Sequence, residues 1–309
     1  MLILILVVLL FVVVIVNISS YRDSLLQTQI GGSNSRTAVK YPLDKIDPLD
    51  LKSLQLAYSV HHLRKSYDGP ILTVKRESDE MEKDFFPHPK IYSALYSKDG
   101  EELADWIAGT VGLVTVLYDQ GLYGNHALSA QPNHVARVEY DPTLKQYWLR
   151  TKSGRLTIKD ELKPLEGMTG ITYVANLILD TRRRRMAHPL HFRNANVSRN
   201  HNPHIQWSNG SVYEWLGFRG RQRFNANFSP NQRHWYTVKG IVGDRTVVRL
   251  DGNEIRNNNF GDSVKNISPG VLQSRSTDAY RLDTQVLFNK AVSDWSLNIL
   301  EGNKPIGLN

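Results

Sequence analysis

Tyr236-Thr237-Val238-Lys239-Gly240-Ile241-Val242, then Gly243-Asp244, then Arg245-Thr246-Val247-Val248-Arg249-Leu250 is the stretch that decides the fold. Two runs rich in β-branched residues flank a Gly-Asp pair, the pattern of a β-hairpin. Leu250-Asp251-Gly252-Asn253-Glu254-Ile255 repeats the device with a second tight turn. Working outward, Ile71-Leu72-Thr73-Val74, Val111 to Tyr118 and Ile171 to Leu179 are further short apolar runs bounded by Gly, Asn, Asp and Pro. Two stretches read as helices. One is Glu101 to Ala108, capped by Asp99 or Gly100; the other is Asp294 to Leu300, capped by Ser293. Strands this frequent give a mainly β chain, an antiparallel β-sandwich or jelly roll with a few short helices.

The chain has 309 residues, a net charge of +8, no cysteine and 41% hydrophobic residues. That apolar fraction excludes general disorder. Without cysteine there is no disulfide framework, no thiolate nucleophile and no cysteine-ligated zinc. Residues 1–16, MLILILVVLLFVVVIV, carry no polar side chain. At ~1.5 Å per residue they span ~24 Å as a helix, against a hydrocarbon core of ~30 Å. No basic residue precedes the run and no small-residue cleavage site follows it, so we expect an uncleaved transmembrane helix. The expected organisation is a membrane anchor over 1–18, a polar stalk over 19–52 and a β-sandwich domain over 53–309. The expected location is that of a single-pass membrane protein.

Ala57-Tyr58-Ser59, Leu63-Arg64, Ser66-Tyr67, Gly69-Pro70, Val74-Lys75-Arg76 and Ser78-Asp79 come in the order seen at the opening of the α-L-arabinofuranosidase B catalytic-domain family. Tyr118-Asp119-Gln120 and Gly124-Asn125 continue the resemblance, with Gly121-Leu122-Tyr123 where relatives have Ser-Gly-Asn. His234-Trp235-Tyr236 and Val286 to Asp294 resemble laminin-G-type and lectin-like sandwiches. The resemblance implies a concanavalin A-like sandwich. It also suggests a setting in phage or large DNA-virus proteins.

Retaining glycosidases need two carboxylates ~5–5.5 Å apart. The family implies a strand Glu as nucleophile and an Asp in a Gly-Gly-Asp-like loop as acid. The nearest positions are Glu214 and Asp278. Ser276-Thr277 stands where the Gly-Gly would be, and the adjacent Cys-Cys pair that the family uses against the sugar is absent. Tyr118, Asp119, Gln120 and Asn125 have two readings: a loop clamp, because Asp and Asn serve turns, or a glycan site at the sandwich rim. His61-His62 on an extended segment point to opposite faces and do not make a joint metal site. His188, His191, His201 and His204 share a stretch broken by Pro189 and Pro203, so we expect no metal and no cofactor.

Arg182, Arg183, Arg184 and Arg185 form one basic run; Arg219, Arg221 and Arg223, interleaved with Phe218 and Phe224, form another. Arginine forks suit phosphates and carboxylates. No nucleic-acid-binding motif accompanies them. The sum of these readings is an expectation of a membrane-anchored, non-enzymatic structural protein. Its bilayer partner is held through residues 1–18, and its protein partners belong to a capsid in a virion membrane. A glycan-binding surface protein is the first alternative and a retaining arabinofuranosidase-like hydrolase the second.

Overall fold

A computed structural model describes residues 40–88, 91, 93–129, 136–143, 145–150, 155–158, 170–179, 186–194, 200–201, 203–206, 211–214, 222–225, 231–241, 244–259, 267–273 and 280–302. The expected anchor, residues 1–18, lies outside them. Among the described residues no helix is long and apolar enough to cross a membrane.

The strands are β1 (Leu54–Ser59), β2 (Leu72–Arg76), β3 (Glu82–Pro87), β4 (Leu95–Ser97), β5 (Gly112–Leu117), β6 (Ala127–Ser129), β7 (Ala136–Asp141), β8 (Gln146–Arg150), β9 (Arg155–Ile158) and β10 (Gly170–Leu179). They continue with β11 (Met186–Asn194), β12 (Asn200–His201), β13 (Pro203–Gln206), β14 (Ser211–Glu214), β15 (Gln222–Asn225), β16 (Arg233–Ile241), β17 (Arg245–Leu250), β18 (Asn253–Asn259), β19 (Ile267–Gln273) and β20 (Tyr280–Phe288). Three short helices accompany them: α1 (Pro48–Leu51), α2 (Leu103–Trp106) and α3 (Asp294–Leu300).

Every described strand pair is antiparallel. One sheet runs β1-β20-β10-β16-β17-β18. The other runs β4-β3-β2-β5, and the free side of β5 is shared by β7 and β6. From β7 the pairing passes to β8, and β8 closes back on β20 through Leu149↔Leu282 and Arg150↔Arg281. From β6 it passes through β9 and β19 to β11, which carries β12 and the β13-β14-β15 ribbon. The hairpin of β16 and β17 forms as its sequence requires, Tyr236 facing Leu250. The next turn places Asp251 at φ 52 and Gly252 at φ 79, the left-handed pair that a two-residue hairpin turn needs.

Alternation fills the space between the sheets. Leu56, Tyr58, Val74, Val114, Tyr173, Ala175, Leu177, Tyr236, Val238 and Leu287 join one buried cluster. The opposite face of the first sheet is also covered. Leu54, Ala57, Val174, Val286 and Phe288 pack with Leu43, Ile46, Leu297 and Leu300 in a second cluster. Strand β20 is therefore apolar on both sides, which is why Val286-Leu287-Phe288 reads as a continuous run.

The terminal helix is fixed by charge as well as packing. Ser293 caps α3, accepting from Ser296 N–H, as its sequence position implies. Asp50 Oδ2 accepts from Ser293 N at 3.0 Å, Ser293 Oγ at 2.7 Å and Ser296 Oγ at 2.6 Å. Lys290 Nζ sits 2.6 Å from Asp50 Oδ1. At the other end, fully buried Glu301 takes Thr237 Oγ1 at 2.8 Å and Arg249 Nη2 at 2.9 Å.

Two local expectations need correction. Residues 42–51 were expected in the stalk, yet they form a 3-10 turn and α1, with Leu43 and Ile46 buried beside α3. The apolar pair at 43 and 46 has a surface to bury against, and that surface lies near the C-terminal end of the domain. The expected helix over 101–108 is only Leu103–Trp106, because Glu102 is bridged to Tyr96 and Gly109 turns out at φ 75.

Gly170 is where the first sheet leaves no room. A Cβ there would lie 2.6 Å from Gly240 O and 2.8 Å from Ala291 N, both backbone atoms. Gly170→Ala is expected to lower stability by about 1–3 kcal/mol in urea unfolding, since neither neighbour can step aside without moving a strand.

Candidate functional site

The Tyr118-Asp119-Gln120 segment follows β5 and sits under the β1 strand. Asp119 Oδ1 accepts from Ala57 N at 2.7 Å and Gly121 N at 2.8 Å, and Oδ2 from Asn125 N at 3.0 Å. Burial raises its pKa above the usual carboxylate range, against the pull of those three N–H donors. Gln120 Oε1 accepts from Leu63 N at 2.7 Å and its Nε2 donates to His61 O at 2.8 Å. Asn125 Nδ2 donates to Gln55 O at 2.7 Å, and Tyr58 OH donates to Asn125 O. Asp119, Gln120 and Asn125 are all buried, and these bonds go to protein backbone. Tyr118 is half-buried: its hydroxyl is 3.0 Å from Thr73 Oγ1 and its ring meets His126 edge-on at 4.9 Å. The geometry is that of a clamp tying β1 and the segment that follows it, as far as residue 63, to the loop at 119–125.

A second polar cluster was not foreseen. Asp283 interrupts β20, and the register slips there: Asn176 faces Thr284 and Leu177 faces Leu282. The slip leaves Asp283 opposite no residue of β10 and resets the alternation, so that Tyr280 and Leu282 still face the core. The Asp283 carboxylate meets His61 Nε2 at 2.9 Å and the Arg233 guanidinium. Burial pulls its pKa upward, but the charges of His61 and Arg233 outweigh it and hold the group below the usual carboxylate range. Arg233 Nε also donates to Asn176 Oδ1 at 2.9 Å. Arg233 and Arg281 both lie over the Trp148 ring, at 5.6 and 5.9 Å from its centre. The sequence carried little signal for this cluster, because Asp283 stands beside Arg281, Thr284 and Gln285 in a run that is half polar. His62 turns elsewhere, its Nε2 2.8 Å from Tyr67 O, so the adjacent histidines do point apart.

The remaining expected site residues are placed only in part. Glu214 ends β14, facing Pro203 of β13 and Gln222 of β15, and Arg223 faces Tyr213. Arg182, Arg183, Arg184, Arg185, Arg219, Arg221 and Asp278 lie outside the described residues. Asp278 belongs to the segment between β19 and β20. Gln273, the last residue of β19, pairs with His188 of β11, and Ala187 pairs with Ile205, which pairs with Val212 of β14. The strand bearing Glu214 and the strand leading to Asp278 thus belong to one hydrogen-bonded series. Among the described residues no three His, Asp or Glu side chains gather in a metal-binding group.

Comparison with known proteins gives this geometry a context. No family model matches the chain. α-L-Arabinofuranosidase B of Penicillium canescens is 38% identical over 73 residues, 23% of this chain and 15% of that enzyme. A GH54 α-L-arabinofuranosidase soaked with a cyclic sulfate inhibitor superposes with a TM-score of 0.58 at 14% identity. An arabinofuranosidase complexed with arabinofuranosyl-α-1,2-xylobiose superposes at 0.56 and 16%. Each superposition covers 80% of this chain and 61% of the solved one. The chain therefore spans less than two thirds of the length of these relatives. At such identities the structural likeness is one of fold: a β-sandwich resembling that of arabinofuranosidase B.

These relatives overturn the expectation of a non-enzymatic structural protein joining a membrane to a capsid. The sequence match and the superpositions lead to proteins named as glycoside hydrolases, and none of them connects the chain to a virion.

The Asp283 cluster makes a pH prediction. A carboxylate whose folded pKa is depressed contributes stability above its unfolded value of ~3.9 and loses it as pH falls through the lower folded value. Unfolding followed by urea should show that loss below about pH 4. Asp283→Asn should flatten it and cost about 1–3 kcal/mol at neutral pH, because the buried carboxylate no longer meets His61 and the partly exposed Arg233.

Proposed function

We propose that this chain is a glycoside hydrolase acting on α-L-arabinofuranosides with retention of configuration. The observation that carries the reading is the 38% identity over 73 residues with an arabinofuranosidase, on a sandwich of matching fold. Glu214 is the nucleophile and Asp278 the acid/base. In the first step the Glu214 carboxylate bonds to the anomeric carbon while Asp278 gives its proton to the departing oxygen. In the second, Asp278 takes a proton from water, which displaces Glu214 and releases arabinose. Glu214 lies on a ribbon strand, β14, that is linked through β13 and β11 to β19. The resemblance assigns a sugar contact to paired cysteines, and in a chain without cysteine other side chains take that contact. The sixteen apolar residues at 1–16 support attachment of the enzyme to a bilayer through residues 1–18.

Hydrolysis of 4-nitrophenyl α-L-arabinofuranoside by the full chain tests the reading. Turnover is expected for the parent. Asp278→Asn should lower kcat by about 10²–10⁴-fold, the worth of a general acid. Glu214→Gln should abolish covalent turnover, and azide should restore product formation with inverted configuration to a Glu214→Ala variant. Absence of release by the parent at any pH from 4 to 8, a range about the carboxylate and histidine pKa values, overturns the proposal.

A further inference from the structure

The loop that the Asp119 clamp holds carries two exposed apolar side chains at its tip. Leu122 and Tyr123 stand between Gly121 and Gly124 and are 45% and 48% exposed. The backbone beneath them is pinned on both sides. Asp119 accepts from Gly121 N at 2.8 Å and from Asn125 N at 3.0 Å, His126 N donates to Gly124 O at 2.8 Å, and Gly124 turns at φ 66. Arg64 Nη1 donates to Gly121 O at 3.2 Å. A single exposed leucine needs no explanation. Here the pinned turn stops the pair from folding back onto the domain, so the loop keeps both side chains in solvent.

The tip stands beside the segment that leads into the sandwich from residue 40. Arg64, which holds Gly121, belongs to the stretch at 62–65, and that stretch also holds residues 41–44. Leu43 N donates to Leu63 O at 3.1 Å, Lys65 N donates to Asp44 Oδ2 at 2.7 Å, and the rings of Tyr41 and His62 meet edge-on at 5.0 Å. Lys40 Nζ lies over the Tyr41 ring, 4.9 Å from its centre. Along residues 40–45 and 62–68, Lys40, Lys45, Arg64 and Lys65 outnumber Asp44 and Asp68. None of these four cations has an ion-pair partner among the described residues. Residues 18 and 40 are 22 positions apart in the chain. Even fully extended, that length spans at most ~75 Å.

We propose that the Leu122–Tyr123 tip and its basic flank dock on the surface of an anionic bilayer, an inference that rests on the proposed attachment of residues 1–18 to that bilayer. An aliphatic side chain beside a tyrosine suits the boundary between headgroups and acyl chains, where the ring lies in the apolar layer and the hydroxyl reaches water. Lys40, Lys45 and Lys65 gain from the negative surface potential, which acts within a Debye length of the lipid. Neither contact is strong alone. A covalent tether to the same membrane raises the local concentration of lipid surface, so weak contacts suffice. Docking then sets which faces of the sandwich stay open to solution.

The chain has no cysteine, so a single introduced thiol reports one position. Leu122→Cys, and Met81→Cys as a control, each take one fluorescent label on the full chain. Met81 is another exposed apolar residue, at the far end of β2: its O accepts from Arg76 N, whereas Ile71 O, at the near end, accepts from Tyr118 N. The labelled chains are reconstituted into vesicles of phosphatidylserine and phosphatidylcholine and recovered by flotation. The label at 122 should be quenched by nitroxide-bearing lipid and shielded from aqueous iodide; the label at 81 should behave the opposite way. Lys40→Gln with Lys65→Gln should lower the ratio of docked to undocked label at 122 roughly tenfold, and vesicles of phosphatidylcholine alone should lower it as well. Melting temperatures matching the parent's show that the clamp is intact. If the chain floats but iodide reaches the label at 122, attachment stands and docking is overturned. Shielding from both quenchers means cover by a second copy and overturns it, as does equal lipid quenching at 81 and 122. A chain that does not float overturns attachment and docking together.

Discussion

Strand β20 is the constraint on which the rest of the molecule depends. It hydrogen-bonds to β1 and β8 on one side and β10 on the other, and it is apolar on both faces. A strand in that position needs a sheet beneath it and a separate cover above it. The second sheet supplies the first through Tyr58, Tyr173 and Leu287. The 3-10 turn, α1 and α3 supply the second through Leu43, Leu297 and Leu300. Each of these pieces is too short to be stable alone. Their stability comes from the apolar area they bury against β20, and the buried ion pairs around Asp50 and Glu301 fix their orientation.

Charge in this sandwich divides into two kinds. Asp119, Asp50, Asp283 and Glu301 are buried and met by backbone donors, hydroxyls or a specific cation. Such carboxylates are spent on geometry, because an unmet buried charge would cost more than the fold can sustain. The arginines of the outer face, by contrast, are only partly buried: Arg150 pairs with Glu139, and Arg233 and Arg281 lie over the Trp148 ring.

That division bears on the hydrolase reading. The resemblance drew attention to the Tyr-Asp-Gln segment, and the structure gives those side chains to loop closure. The proposed chemistry is carried instead by Glu214 on β14 and by Asp278 between β19 and β20. Glu214 belongs to the part of the chain reached through β9, β19 and β11.

Local chemistry in the sequence was enough to determine several elements. Val238 and Val248 alternating about a tight turn set the hairpin, Asp251-Gly252 set the next turn, and Ser293 set the start of α3. Asp119 could be read as a turn-former from its own neighbours. Each depends on residues a few positions apart, and the chain cannot satisfy them in another way. The meeting of His61 with Asp283, the burial of Leu43 and Ile46, and the placing of Arg233 and Arg281 over the Trp148 ring depend on registers between distant strands. Shifting any one pairing by a residue would turn those side chains to the other face. Only the folded sheets choose that register, so only the tertiary structure decided where the charges of this protein stand.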